Sequence, residues 1–181
     1  MRGKIFVNYR REDNAERALA IASYLERAFG PRRVFIDIDR LRAGRNFHEE
    51  LEKQLAGCDV MLTLIGPSWL DTRNEAGARR LDDPQDWVRL EIERALARKI
   101  VVIPVLTGGA SLPKAADLPE ALRPLIETHA AVVATNTFRS DWRALYATCG
   151  RLWAGRNGAS SVPQQGLWRS QALSLSRLDQ N

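Results

Sequence analysis

Short apolar runs alternate with amphipathic stretches along most of the chain. Lys4 to Asn8 (KIFVN) is β-branched and aromatic, which predicts a first strand ending at the polar cluster Tyr9-Arg10-Arg11-Glu12-Asp13. Asp13 with Glu16 three residues on has the form of a capping box. The helix that follows places Ala18, Ala22, Leu25 and Phe29 on one face and is stopped by Gly30-Pro31. Arg33 to Ile38 predicts a second strand, and the charged loop Asp39 to Gly44 leads to a third element. Asn46 and Glu49 can cap that element, and Phe47, Leu51, Leu55 and Cys58 share its face. Val60 to Ile65 is almost wholly apolar, as expected of a central strand buried on both sides.

Gly66-Pro67-Ser68 ends that strand, and a charge-rich loop runs from Asp71 to Asp83. Asp83 before Pro84 predicts an N-cap with proline at the first helical position. On the helix that follows, Val88, Ile92, Ala95 and Leu96 form the buried stripe. Glu91 falls at the flank of that stripe near Trp87, while Glu93 projects away from it, predicting one carboxylate at the core edge and one in solvent. Ile100 to Leu106 predicts a fourth strand, whose Pro104 argues for a strand end or sheet edge. A short helix over Leu118 to Ile126 and a fifth strand over Ala130 to Ala134 follow. Ser140 caps a last helix carrying Trp142, Leu145, Tyr146, Cys149 and Leu152 on one side.

Five strands alternating with helices predict an α/β fold: a doubly wound, flavodoxin-like parallel sheet in the order 2-1-3-4-5, with helices on both faces. That order places ligands beyond the carboxyl ends of the first and third strands, at Tyr9-Arg10-Arg11 and Gly66-Pro67-Ser68. The pattern changes after residue 153. Gly, Ser, Gln and Asn dominate from Ala154 to Gly166, which reads as a flexible linker. Trp168, Ala172, Leu175 and Leu178 then recur at helical spacing, compatible with a short amphipathic helix or a frayed end. The expected division is a domain over 1–153 and a tail over 154–181.

Composition narrows this picture. With 181 residues, 45% hydrophobic and 27% charged, the chain has the make-up of a soluble globular protein with one sizeable core. No run approaches the roughly 18 apolar residues needed to cross a bilayer, and the N-terminus has no signal-peptide pattern. Cys58 and Cys149 lack metal-ligand spacing and sit on apolar stripes read as helical, so they are expected to be reduced core thiols in a cytoplasmic protein. The net charge of +5 permits an anionic ligand. The arginines are scattered among acids, however, which argues against a nucleic-acid surface.

Several chemistries are excluded. A phosphoacceptor domain needs an aspartate at the end of the third strand, where Gly66-Pro67-Ser68 stands. No glycine-rich phosphate loop follows the first strand. His48 and His129 are the only histidines and have no nucleophile-elbow motif to join, which removes a hydrolytic triad; no His/Cys cluster suggests a metal. What remains at the rim is Arg10, Arg11, the 39–47 loop, Ser68, Trp87 and Glu91. Arginines pair with phosphates, an aromatic ring stacks on a base or pyridine, and a carboxylate stabilises an oxocarbenium ion at a ribose carbon. That set suits cleavage of the N-glycosidic bond of a pyridine nucleotide. Nicotinamide leaves as a neutral molecule, so a single carboxylate suffices where ordinary glycosidases use two.

These motifs also resemble those of a TIR (Toll/interleukin-1 receptor) domain of the bacterial, NAD-consuming kind, over roughly residues 3 to 153. KIFVNYRRED is similar to the first box, usually a strand ending in Ser-Tyr-Arg. RVFIDIDRLRAGRNF resembles the second strand and the BB loop with its glycine, VMLTLIGPSWL the third strand and its exit, and DDPQDWVRLEIERAL the Trp-Val-x-x-Glu helix. The resemblance implies that Glu91 is the catalytic glutamate. It implies NAD+ as substrate, no cofactor and no metal. Tyr9, Arg10, Arg11, Asp39, Gly44, Phe47, Ser68 and Trp87 then bind the substrate, the two arginines touching ribose or phosphate. Asn8 departs from the usual serine and is expected to adjust the pocket's hydrogen bonds without abolishing it.

The implied activity is an NAD+ glycohydrolase or ADP-ribosyl cyclase, working in bacterial anti-phage defence or as an effector. Self-association through the BB loop switches such enzymes on, and a separate sensor protein is expected to supply the signal. The alternative is a non-enzymatic adaptor acting through TIR–TIR contacts. Many adaptors lack the glutamate, so Glu91 beside Trp87 favours the enzyme.

Overall fold

The computed structural model describes residues 3–36, 47–133, 141 and 145–150. Parallel strands make up its sheet, in the order β2-β1-β3-β4-β5: β1 Lys4–Tyr9, β2 Val34–Ile36, β3 Cys58–Ile65, β4 Val101–Thr107 and β5 Ala131–Val133. The predicted order is thus the observed one. Helix α1 (Arg11–Phe29) connects β1 to β2, α2 (Phe47–Leu55) precedes β3, and α3 (Trp87–Ala97) precedes β4.

The period of two along the strands divides the core into two layers. Ile5, Val7 and Tyr9 of β1, with Leu62 and Leu64 of β3, face α1 and the helical residues 145–150; Leu145 and Cys149 are fully buried there. Phe6, Met61 and Ile65 face the opposite way, toward Leu51 and Leu55 of α2 and Val88, Ile92 and Ala95 of α3. Burying each such side chain contributes about 1.5–3 kcal/mol, so either layer alone is a substantial core. The α1 stripe read from the sequence, Ala18, Ala22, Leu25 and Phe29, is the buried one, and Gly30 at φ +96° ends the helix in a backbone conformation that favours glycine.

Several local expectations need correction. The chain enters β2 through a 3-10 turn, Pro31–Arg33, so Arg33 precedes the strand. Cys58 is the first residue of β3 and not part of a helix, although it packs on Leu51 and Leu55 as its apolar neighbours suggested. The loop and short helix expected over 118–126 contain a 3-10 helix, Glu120–Glu127, preceded by a separate 3-10 turn, Ala115–Asp117; Pro124 inside the longer one cannot donate an α-helical hydrogen bond. Pro104 lies in the middle of β4, opposite Thr63 of β3, and β4 is an interior strand. It is tolerated because the ladder to β5 begins only at Val105, which leaves one flank of the strand open at Pro104. The predicted cap at Ser140 and the tail 154–181 lie outside the described residues. No described helix is long and apolar enough to cross a membrane.

Candidate active site

The carboxyl ends of β1 and β3 and the start of α3 meet at one end of the sheet. Helix α3 begins three residues later than Asp83-Pro84 suggested. Asp83 instead closes a local turn: its carboxylate accepts from the Gln85 N–H at 2.8 Å and its carbonyl from the Asp86 N–H at 3.0 Å. Asp86 is the N-cap, its Oδ1 accepting from the Arg89 N–H at 3.1 Å, so Trp87 is the first helical residue.

Asp86 has a second role. Both terminal amino groups of Arg10 donate to its two carboxylate oxygens at 3.0 Å, and the two side chains are each 1% exposed. This buried, bidentate pair ties the end of β1 to the first turn of α3. Arg80 adds a second cation, its Nε 3.3 Å from Asp86 Oδ2, while its Nη1 donates to Glu12 Oε1 at 2.7 Å. Burial acts to raise the Glu12 carboxyl, but a backbone hydrogen bond and the Arg80 guanidinium outweigh it and hold the group below its ordinary range. The network thus joins α1, the 3-10 turn Arg80–Asp82 and α3.

One turn into α3 stands Glu91. It is 1% exposed, buried more deeply than the flank position read from the sequence implied. The reason lies in β1: Asn8 Nδ2 donates to Glu91 Oε2 at 2.7 Å and to the Val88 carbonyl at 3.3 Å, supplying a polar partner inside the core. Glu93 turns away, as expected, and accepts from Arg89 Nε at 2.7 Å.

The opposite lip is the turn after β3. Asp13 was expected to cap α1. Its Oδ2 instead accepts from the Gly66 N–H at 2.9 Å and its Oδ1 from the Ser68 N–H at 3.0 Å. Helix α1 already starts at Arg11 and is irregular at Asn14, φ −138° and ψ 16°, which frees the Asp13 side chain to reach across. Gly66 is required for this approach, because a Cβ there would lie 2.4 Å from Asp13 Oδ2.

The structure therefore brings Arg10, at the end of β1, against the start of α3, where Trp87 and Glu91 stand on the first turns; Arg11 opens α1, and the Tyr9 side chain, expected at the substrate, packs instead in the α1 layer on the other face of the sheet. Tyr9 and Arg10 are buried, Trp87 is half-buried, and Arg11 and Ser68 are exposed. Arg10 has its terminal amino groups committed to Asp86. Asp39 and Gly44 lie outside the described residues; Phe47 opens α2, and its side chain lies outside the description too. Sequence reasoning missed Asp86 and Arg80. The first carried a usable signal, a cap-type residue directly before the tryptophan helix; the second carried none. Among the described residues no group of three or more His, Cys, Asp or Glu is placed to hold a metal.

Residues 5–144 match the family model of the TIR domain. The chain belongs to the TIR domain family. Over 120 residues this TIR domain is 30% identical to the NAD(+) hydrolase sarm1 of Drosophila melanogaster, a match covering 66% of this chain and 8% of that protein. Over 123 residues it is 30% identical to the NAD(+) hydrolase tir-1 of Caenorhabditis elegans, covering 66% of this chain and 11% of that one. The chain therefore spans a small part of the relatives it matches. Among solved structures it is similar to the TIR domains of the activated Roq1 resistosome that directly recognizes the pathogen effector XopQ. That similarity has a TM-score of 0.55 at 12% identity, covers 81% of this chain and 99% of that one, and bears on the fold alone.

Proposed function

We propose that this TIR domain cleaves the nicotinamide–ribose bond of NAD+, with Glu91 as the catalytic residue. The observation that carries the reading is a carboxylate buried one turn into α3, held by an amide from β1 at the end of the sheet where this fold takes its ligands. The two relatives named as NAD(+) hydrolases support it.

In this reading the Glu91 carboxylate stabilises the oxocarbenium ion as the bond to nicotinamide breaks, and the pyridine departs neutral without a general acid. Trp87, one turn before Glu91 and half-buried, stacks on the pyridine. Arg11 and Ser68, both exposed at this end of the sheet, contact the remainder of the nucleotide, and roles for Asp39, Gly44 and Phe47 rest on the sequence resemblance alone. Arg10 keeps α3 in place, because its amino groups are held by Asp86. At 1% exposure Glu91 touches no ligand in the present arrangement, so activity requires a rearrangement that opens the site. Self-association through the BB loop, prompted by a partner protein, is the proposed trigger. The setting, bacterial defence or an effector role, rests on the sequence resemblance.

Incubating concentrated protein with NAD+ and separating the products by chromatography tests the reading. The parent chain is expected to release nicotinamide, and Glu91→Ala none while still folded. The second product peak, linear or cyclic ADP-ribose, tells hydrolase from cyclase. No release by either protein, even when tethered at high local density, favours an adaptor acting through TIR–TIR contacts.

A further inference from the structure

Asn8 stands in the core as a polar residue with a divided environment. It is fully buried, and Phe6 two residues before it packs against α3, so the Asn8 side chain points toward that helix. The two hydrogens of its amide nitrogen are directed at two acceptors, the Glu91 carboxylate at 2.7 Å and the Val88 carbonyl at 3.3 Å. The reverse orientation would set an amide oxygen against both, so the surroundings fix which way the amide faces. Its oxygen, Oδ1, is buried with no hydrogen-bond partner among the described residues. Beside it in the sheet, at the paired position on β3, is Thr63, whose buried hydroxyl likewise has none.

Thr63 shares its face of β3 with Met61 and Ile65, which also pack in the α3 layer. Paired positions on adjacent parallel strands are about 4.8 Å apart. The two atoms are chemically complementary, since a hydroxyl donates and an amide oxygen accepts. Buried polar groups persist where they fix a unique arrangement, and here Asn8 contacts the carboxylate singled out above.

We infer that Asn8, backed by Thr63, is a positioning residue: it holds the Glu91 carboxylate in one rotamer and one orientation toward the sheet end where the substrate enters. The inference rests on the proposed NAD+ cleavage for its kinetic consequence, though not for the contact itself. A single hydroxyl cannot fill this role, because holding Val88 and Glu91 together takes two donor hydrogens on one atom. Asparagine in place of serine therefore does more than adjust the pocket: it fastens α3 to β1 at the residue that carries the chemistry.

The test has two independent readings. In the parent chain, the side-chain amide resonances of Asn8 are expected to follow the ionisation of Glu91 in a pH titration and to stop doing so in Glu91→Gln; this reading needs no substitution at Asn8. In Asn8→Ala, kcat for nicotinamide release falls about ten- to a hundred-fold, the loss of one hydrogen bond to a charged group, while KM changes less than about three-fold. The acid limb of its pH profile also moves upward, because a donor to the ionised form has gone. Thr63→Val shifts kcat in the same direction by less. Amide resonances indifferent to Glu91, or an unchanged kcat and pH profile in Asn8→Ala, overturn the inference. If the parent releases no nicotinamide, the proposed function falls, and the amide titration alone decides whether Asn8 positions Glu91.

Discussion

Asp86 and Glu91 are two buried carboxylates five residues apart on the same stretch of chain, and the protein treats them differently. Asp86 meets a bidentate guanidinium at 3.0 Å, a second guanidinium at 3.3 Å and a backbone N–H at 3.1 Å. Its charge is matched and its geometry fixed from several sides. Glu91 takes the hydrogen bond of a neutral amide at 2.7 Å. A carboxylate locked in cations is a poor partner for a further positive charge, whereas the amide that Asn8 offers Glu91 brings no positive charge of its own. The contrast sets a carboxylate that builds the helix start beside the one we propose for the chemistry.

That division can be strained first on its structural side. Arg10→Met leaves Asp86 buried without its bidentate partner, and is expected to lower the unfolding free energy by about 3–5 kcal/mol in urea titrations. Adding Asp86→Ser, which keeps an N-cap oxygen while removing the stranded charge, should recover part of that loss. Full additivity of the two substitutions would show that the pair is not coupled. Arg80→Ala, removing a partly exposed second cation, is expected to cost only about 0.2–1 kcal/mol.

Smaller effects follow from pH. The Arg79 hydrogen bond holds the Asp82 carboxyl below its ordinary value of 3.8, and Glu12 sits below 4.5. A lowered folded value means stability that is present above the ordinary value and lost as pH falls through the folded one. The urea midpoint should therefore decline as pH drops below about 4.5, gently, since both groups are largely solvated. The thiols run the other way. Burial pushes Cys58 up to about 11 and Cys149 to about 12 from 9.0, so their contribution is intact below pH 9 and is lost as pH climbs toward those values. At pH 8 neither cysteine should react with a thiol reagent faster than the chain opens.

Much of this architecture was legible in the sequence because hydrophobic period and topology are strongly coupled. The almost wholly apolar run at 60–65 read as a central strand, and the alternation of elements gave the order of the sheet. What failed was chemistry decided at long range. Pro104 carries a local prohibition that only the short β5 relieves. Asp13 has the sequence of a cap, yet its oxygens serve a turn over fifty residues away. Three aspartates precede α3, and local rules chose Asp83 because proline follows it; the selection of Asp86 depends on Arg10, which no spacing rule connects to it. Glu91 could be picked out by its helix motif, but its burial depends on Asn8, 83 positions earlier.

The most direct test of the contrast is nicotinamide release by Glu91→Gln, measured beside its urea midpoint. Glutamine keeps an acceptor oxygen for Asn8, removes the charge and replaces the other oxygen with an amide nitrogen. The account predicts that release is lost while the midpoint stays at or above that of the parent chain, since a buried charge has been removed without orphaning its donor. Release at the parental rate by folded Glu91→Gln would contradict it.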